Sequence, residues 1–434
     1  MTHRRFTAAL VAGLLLRVAT LALPGHEDVT TWKIWSYAAS RDVTAMYGVG
    51  GDPPTRGIVT WGEHRTTVDY PPLFLYEYAL VGHLFGALFP DYPDGLALLI
   101  AVKLPVLLAS AGLTWLLFWS VRRVSGKDNP ARWAALAYWL NPATIFGGEM
   151  LGYVDPLFML PAVAALVLAF LGRPAWAGVL AGVALATKPQ GILVGPALAV
   201  ALWQHGGLAP MARAGITCGS VLLLTTLPFY LRGALPNMWL AFGAFYGRRD
   251  TMSAYAVNIG WIVNWALRCQ EAVPELGFPA ACLQLVPRPM TISNVPALGY
   301  PNPRPIGTAL VLIATAWAAW RVWGRRDLSL VAALGAFTVH AFFVLSTGVH
   351  ESHQLFEVPL LVLAAALRPR LWPLCFVVSA IVALNINLLY GIGWGMGWAV
   401  PRMITGVDLS VLLSFVNVGT LVWFARVLGR AVRE

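Results

Sequence analysis

Charged residues are scarce in this 434-residue chain, at 12% of the total against 58% for hydrophobic residues. That balance excludes a soluble globular protein. The four cysteines are too few for a disulfide scaffold. The sequence also lacks a Gly-rich nucleotide loop, a Walker motif, a nucleophile elbow and a haem motif, so a soluble nucleotide cofactor is not indicated. Residues 1–434 are therefore predicted to form one integral membrane domain.

Apolar runs long enough to span a bilayer recur along the whole chain, which predicts an all-α, polytopic membrane protein. The formal net charge of +10 comes largely from Lys and Arg in short loops, which marks those loops as cytoplasmic and requires no nucleic-acid partner. This arrangement gives about twelve transmembrane helices with both ends inside. The predicted spans are 6–22, 96–121, 133–147, 155–171, 174–187, 190–204, 213–231, 305–322, 328–346, 352–367, 372–388 and 408–425.

The acidic residues then fall on the opposite side of the membrane, although they were not used to assign it. All but three of the 20 lie outside, many of them in a first outer loop, 23–95, and a second large outer loop, 232–304. Within the first loop, the apolar stretch 72–89 does not fit the alternation of basic loops. It is predicted to be a juxtamembrane or re-entrant helix on the outer face. Chemistry is expected on this face.

The acidic pair Glu27 and Asp28 stands just after the first span. A charge in the bilayer centre costs roughly 3 kcal/mol or more, so this pair is expected at the water boundary. Asp28 is the stronger candidate for a general base, and Glu27 the weaker one. Trp32 follows on the same predicted helix and could contact a sugar. The alternative is that Asp28 is only a solvated acid at a helix end.

Two further turns are predicted on the outer side. Glu149 and Asp155 flank a glycine-containing turn, where they could bind a sugar hydroxyl or a metal, but Asp155 could equally cap the following helix. Lys188 precedes Pro189 at a break between two apolar runs, which suits an anion site. The other interpretation is a lysine that only extends towards the membrane surface.

His350, Glu351 and His353 begin another predicted span from the outer side. The two histidines could form a zinc pair, but the His-Glu-x-x-His order and a third ligand are missing, so phosphate binding is the preferred interpretation. Arg248 and Lys103 could add cations to the same site, although solvated surface positions are an equal alternative for the arginine. No metal or other cofactor is indicated; a divalent cation would be compatible with the acidic residues.

These motifs together resemble the GT-C superfamily of integral membrane glycosyltransferases. The run Glu27 to Trp35 is similar to its first-loop acidic motif, and Asp69-Tyr70-Pro71-Pro72 is similar to the Tyr-Pro-Pro-Leu stretch of dolichyl-phosphoglucose glucosyltransferases. The segments 141–155, 188–190 and 349–351 resemble further signatures of that group, in the same order. The chain departs from the eukaryotic pattern at Gly152-Tyr153-Val154-Asp155, where that group usually has His-Phe-Gln.

The resemblance implies an inverting transfer of a hexose from a polyprenyl-phosphate-sugar donor to a lipid-linked or cell-envelope acceptor. Asp28 would be the base, with Lys188, His350, His353, Arg248 and Lys103 near the donor phosphate, and Trp32, Asp69, Tyr70, Glu149, Asp155 and Glu351 near the acceptor or sugar. The expected partners are that donor, that acceptor and membrane lipids. The expected location is a prokaryotic plasma membrane with the active site outside.

Two other functions are compatible with the same pattern. A lipid-linked glycan ligase or polymerase would depend on Arg248, Arg249 and His350 more than on Asp28. A secondary transporter could have twelve helices with both ends inside, but it would carry ionisable groups near the bilayer midplane and two similar halves, and no internal repeat is found.

Overall fold

The structure is a computed structural model that describes residues 1–49, 56–248, 250–278, 282, 289–390, 403–404 and 407–433. Their helices in chain order are α1 (His3–Leu21), α2 (Asp28–Asp42), α3 (Pro72–Leu88), α4 (Leu96–Ser125), α5 (Asp128–Trp139), α6 (Pro142–Ile145), α7 (Asp155–Phe170), α8 (Pro174–Thr187), α9 (Gly195–Trp203), α10 (Leu208–Leu231), α11 (Leu235–Arg248), α12 (Ile259–Leu276), α13 (Asn294–Ala297), α14 (Pro303–Val322), α15 (Leu328–Leu345), α16 (Glu357–Leu367), α17 (Trp372–Tyr390) and α18 (Leu409–Ala431).

Short non-α segments interrupt the helices. Segments of 3₁₀-helix lie at Val43–Ala45, Pro189–Val194, Glu351–Phe356 and Pro369–Leu371, and a π-turn lies at Phe146–Met150. Two antiparallel hairpins are present: β1 (Ile58–Trp61) pairs with β2 (His64–Thr67), and β3 (Met403–Ile404) pairs with β4 (Val407–Asp408). These hairpins were not predicted from the sequence, and they leave the fold helical.

Six of the described helical segments are long and apolar enough to cross a membrane. They are Leu96–Ser125, Leu208–Leu231, Pro303–Val322, Leu328–Leu345, Pro369–Leu389 and Leu409–Ala431. The prediction of an all-α integral membrane protein is therefore confirmed, whereas the number of about twelve spans stays a prediction. The stretch predicted as a juxtamembrane helix is α3, whose 17 residues are shorter than these six segments.

The chain forms two compact units. The first comprises Met1–Leu116, Gly148–Ile192 and His205–Arg248, and the second comprises Leu117–Gly147, Leu193–Gln204 and Arg249–Glu434. In the first unit, α8 packs against α7 and α10, and α2 packs against α3. In the second unit, α15 packs against α14, α16, α18 and α9.

One predicted span does not form a continuous helix. The run predicted at 133–147 ends as α5 at Trp139, and α6 begins at Pro142. Pro142 has no backbone N–H to continue the helix, and the Asn141 side chain accepts a hydrogen bond from the N–H of Ala143 at 3.0 Å. The predicted run therefore contains a helix break, and whether it spans the membrane stays a prediction.

Helices α2 and α3 approach closely because of a glycine at their contact. A Cβ atom added at Gly82 would lie 1.9 Å from the carbonyl oxygen of Ser36, so only glycine fits there. The closeness allows Trp32 and Trp35 of α2 to pack edge-on against Phe74 of α3, with ring centroids 5.2 Å and 5.9 Å away. This aromatic contact fixes the orientation of α2, and so of Asp28 at its start.

We expect Gly82→Ala to lower the free energy of unfolding by about 1–3 kcal/mol, because the helices must separate to admit the methyl group. Gly86→Ala is a matched control in the same helix, since its added Cβ would meet nothing closer than 3.8 Å. It should be neutral or raise stability by up to about 1 kcal/mol through helix propensity. Thermal unfolding in detergent measures both. Equal stability of the two variants would contradict the close contact.

Candidate functional site

The turn that carries Asp28 is hydrogen-bonded to the turn that precedes Asp155. The backbone N–H of His26 donates to the carbonyl of Leu151 at 2.8 Å, and the Trp32 indole donates to the carbonyl of Gly152 at 3.1 Å. Each turn contains a glycine at positive φ, +83° at Gly25 and +81° at Gly152. Glycine adopts that conformation without steric cost. These bonds place the starts of α2 and α7 in one local arrangement within the first unit.

A buried lysine is hydrogen-bonded to the backbone next to both of these turns. Lys103 of α4 is completely buried, and its Nζ donates to the carbonyls of Leu23 and Met150 at 2.7 Å and 2.8 Å. A Cβ at Gly25 would lie 3.0 Å from this Nζ, so the glycine also makes room for the ammonium. This geometry favours a structural role for Lys103 over the predicted contact with a donor phosphate.

Asp28 is the first residue of α2, and 43% of its side chain is exposed. Its backbone N–H donates to Nδ1 of His26 at 3.1 Å, so the imidazole caps the helix end. Its Oδ2 lies 3.4 Å from the same nitrogen. A helix N-terminus favours a negative charge, and a base must be deprotonated to act. The neighbouring Glu27 is exposed and makes no side-chain cap.

Asp155 and Lys188 form a buried ion pair. Nζ of Lys188 lies 3.0 Å from each carboxylate oxygen of Asp155, and both residues are buried. The ammonium also lies 5.9 Å from the ring centroid of Tyr70 and 5.6 Å from that of Phe158. The pair joins the start of α7 to the end of α8 and fixes a cation beside aromatic rings. Asp155 therefore pairs with Lys188 and does not act as the helix cap considered from the sequence. Lys188 is buried in this pair and does not extend to the membrane surface.

A second acidic group lies next to this pair. Glu77 of α3 accepts a hydrogen bond from the hydroxyl of Thr187 at 3.2 Å, and Thr187 is the residue before Lys188. The other oxygen, Oε2, is buried and has no hydrogen-bond partner among the described residues. Burial raises the pKa of Glu77 to about 7, and the Thr187 hydroxyl opposes this shift. The protonated form of this carboxyl is therefore favoured in the folded chain relative to an exposed glutamate.

Two other predicted binding residues lie inside the first unit. Glu149 pairs with Arg17 of α1, and both side chains are completely buried. Trp32 is buried in the aromatic cluster between α2 and α3, and its indole N–H donates a hydrogen bond to the carbonyl of Gly152. These contacts favour supporting roles for Glu149 and Trp32 over contact with a sugar.

The Asp69-Tyr70 segment lies immediately before α3. The Tyr47 hydroxyl donates to the carbonyl of Tyr70 at 2.5 Å. Burial, the Asp69 charge and Tyr76 together raise the pKa of Tyr47. The Tyr70 ring also lies 5.3 Å from the Trp32 ring. Tyr70 thus lies between the aromatic cluster and the Lys188 ammonium.

The histidine motif belongs to the second unit. His350 is 43% exposed, whereas Glu351 and His353 are buried in the turn Glu351–Phe356. The rings of His350 and His353 are 5.6 Å apart, and Nδ1 of His350 is 3.9 Å from Oε2 of Glu351. That His350 and Asp28 serve one site stays a prediction. Arg248 ends α11 in the first unit; its side chain and Arg249 lie outside the described residues.

Within the described ranges, no three His, Cys, Asp or Glu side chains converge in a group that could hold a metal ion. The zinc interpretation of His350 and His353 therefore gains no third ligand from this part of the chain.

No protein-family profile and no curated protein matches the chain. A solved structure does match, that of ArnT from Cupriavidus metallidurans bound to undecaprenyl phosphate. The TM-score is 0.53 at 16% sequence identity, and the match covers 99% of this chain and 73% of ArnT. The chain has a GT-C-type fold. At this level of identity the likeness shows the fold alone, and activity must be argued from residues.

The GT-C-type fold agrees with the superfamily resemblance found in the sequence, while the narrower similarity to dolichyl-phosphoglucose enzymes stays a prediction. The sequence analysis gave no role to His26 or Glu77. Histidine is not among the residues that commonly cap helix starts, so no local pattern identified His26. The burial of Glu77 depends on the contact between α3 and α8, which no local pattern encodes.

We expect Lys103→Met to lower the free energy of unfolding by about 2–4 kcal/mol, because it leaves two buried carbonyls without donors. Lys33→Met is the control, since the Lys33 ammonium pairs with the exposed Asp94 at 2.6 Å and acts on Lys103 only through like-charge repulsion, which its removal would relieve. Its effect should stay below about 1 kcal/mol. Thermal unfolding in detergent compares the two variants. A Lys103→Met protein as stable as Lys33→Met would contradict the supporting role.

The raised pKa of Glu77 predicts a pH dependence of stability. Between its unfolded value near 4.5 and its folded value of about 7, the unfolded chain loses the proton first, so stability falls as pH rises. Glu77→Gln lacks this proton equilibrium. The apparent Tm of Glu77→Gln minus that of the wild type should therefore increase by about 2–5 °C from pH 5 to pH 8. A difference that is constant or decreases over this range would contradict the buried, protonated carboxyl.

Proposed function

We propose that this protein is a membrane glycosyltransferase that uses a polyprenyl-phosphate-linked sugar as donor. The observation that carries the proposal is the partly exposed Asp28 carboxylate at the start of α2, held by hydrogen bonds between turns next to the start of α7. The buried Asp155–Lys188 pair stands at that start and supplies a fixed cation. A base and a cation in one unit are what such a transfer needs.

The chemistry divides between these groups. A phosphate linked to the anomeric carbon leaves readily without an acid, so the acceptor hydroxyl is the group that needs a base. Asp28 would accept the proton of the acceptor hydroxyl while the acceptor oxygen bonds to the anomeric carbon. The bond between the anomeric carbon and the phosphate oxygen breaks, and the polyprenyl phosphate leaves. Cations stabilise the departing phosphate, a role proposed for Lys188, His350, His353 and Arg248.

The donor class is supported by the fold. The ArnT structure with the same fold holds undecaprenyl phosphate, a polyprenyl phosphate. A lipid of this kind reaches its site from the bilayer, and this chain has six helical segments suited to a membrane among its described residues. The proposal extends that ligand class to this protein.

The finer parts of the proposal rest on the sequence. They are a hexose as the transferred sugar, a lipid-linked or cell-envelope acceptor, and a site on the non-cytoplasmic face of a prokaryotic plasma membrane. Asp69, Tyr70, Asp155 and Glu351 are the proposed contacts of acceptor or sugar. The aromatic ring of Tyr70 beside Lys188 suits a sugar next to a phosphate.

The proposal is tested with purified protein in nanodiscs, a panel of polyprenyl-phosphate hexoses and pentoses, and an assay for released polyprenyl phosphate. Asp28→Asn keeps the size of the side chain but removes the base, so we expect kcat to fall by about 10²- to 10⁴-fold. Asp94→Asn is the control, because Asp94 is an exposed acid of the same unit. It should keep wild-type activity.

Two outcomes would overturn the assignment. Full transfer by Asp28→Asn would exclude it as the base, and loss of transfer in Glu27→Gln alone would move that role to Glu27. Absence of release with every donor in the panel would overturn the proposed function itself.

A further inference from the structure

The second unit contains a buried polar network that the proposed mechanism does not use. Its four side chains, His340 of α15, Gln354 of the turn Glu351–Phe356, Glu357 of α16 and Asn417 of α18, are each 0% exposed. Burying such groups among apolar helices is costly unless their hydrogen bonds are made within the protein. The four side chains are therefore expected to bond to one another or to the backbone.

Glu357 is the acceptor at one end of the network. Nδ1 of His340 lies 2.9 Å from both of its carboxylate oxygens, and Nε2 of Gln354 donates to Oε2 at 3.0 Å. The other ring nitrogen of His340 lies 3.3 Å from the backbone carbonyl of Asn417. Both ring nitrogens thus face oxygen acceptors, and Nε2 of Gln354 also lies 3.3 Å from Nδ1 of the same ring.

Asn417 is the centre of the network. Its side-chain amide forms a reciprocal pair with that of Gln354, with both N···O distances at 3.2 Å. The same Nδ2 also donates to the backbone carbonyl of Val257 at 2.9 Å. One side chain therefore holds two segments that are distant in sequence, the turn Glu351–Phe356 and the segment before α12.

These two segments meet at His350. The backbone N–H of Ala254 donates to the carbonyl of Val349 at 3.0 Å, and β-bridges connect Ala254 and Tyr255 to His350. Asn258 adds a bond from its side chain to the carbonyl of Phe343, at 3.1 Å. The backbone of His350 is therefore held between two segments, and Asn417 hydrogen-bonds to both.

We infer that Asn417, together with the His340–Glu357 pair, is the positioning set for the imidazole of His350. Asn417 touches no proposed substrate; it acts by fixing the backbone on both sides of the histidine. The importance of His350 for transfer rests on the proposed function, but the positioning itself is a property of the second unit and can be measured without a substrate.

The decisive measurement is hydrogen–deuterium exchange of the full-length protein in nanodiscs. Asn417→Leu has a similar volume but removes all three side-chain bonds. We expect the amides of residues 252–258 and 349–356 to exchange about fivefold to tenfold faster or more, because local opening no longer breaks those bonds. Peptides of α7 in the first unit should be unchanged. Ser414→Ala is the control, since the buried Ser414 hydroxyl bonds only to the carbonyl of Ser410 in its own helix.

A second variant separates local positioning from poor folding. Gln354→Met keeps the shape of the side chain and leaves the Asn417–Val257 bond in place. It should accelerate exchange in 349–356 and leave 252–258 close to wild type. Unchanged exchange in both segments of Asn417→Leu, or equally faster exchange in all peptides including α7, would overturn the inference.

Transfer assays give an independent readout. If His350 holds the leaving phosphate, Asn417→Leu should reduce kcat about tenfold with little change in KM for the donor, since the contact is needed most in the transition state. A change in KM alone would contradict the link to catalysis while leaving the exchange result intact. If the wild type itself shows no transfer, the proposed function fails, and the exchange measurement still decides the positioning role.

Discussion

The bond from Lys103 to two backbone carbonyls is the interaction on which the candidate site depends. Its ammonium is buried near one end of a helix apolar enough to cross a membrane, where a charge is expensive. The carbonyls of Leu23 and Met150 replace the water that it loses. They belong to the segment before Asp28 and the segment before Asp155, so the desolvated charge holds together the two turns that present carboxylates.

Several other buried polar and charged side chains also lose water and bond to a partner inside the protein. Arg17 with Glu149 and Lys188 with Asp155 are paired within the first unit, and the buried Glu357 is hydrogen-bonded to His340 and Gln354 within the second. A buried ion pair is costly to break and contributes more to a defined geometry than to net stability. In this protein such pairs connect the ends of helices and turns, and the candidate site residues lie at those ends.

Much of the fold could be predicted from hydropathy because the membrane imposes it. Long apolar runs predicted helices, and residues 72–88 do form a helix, α3, whose predicted juxtamembrane or re-entrant position stays a prediction. Hydropathy did not predict the break inside 133–147, because it averages over a local effect of Asn141 and Pro142. Asp28 and Lys188 were singled out in the sequence because each is a rare ion beside apolar runs, and their roles in a site stay predictions.

Roles within the candidate site depended on contacts between distant residues. Lys103, Glu149 and Trp32 were expected to meet substrate, but the structure shows that their polar atoms bond to Leu23, Met150, Arg17 and Gly152 inside the fold. Asn417, more than sixty positions from Gln354, was not singled out at all. The sequence by itself determined a helical membrane protein and the ions that it had to accommodate. Only the tertiary structure decided which of those ions are neutralised internally and which stay partly exposed, because desolvation and hydrogen bonding depend on neighbours that chain order does not specify.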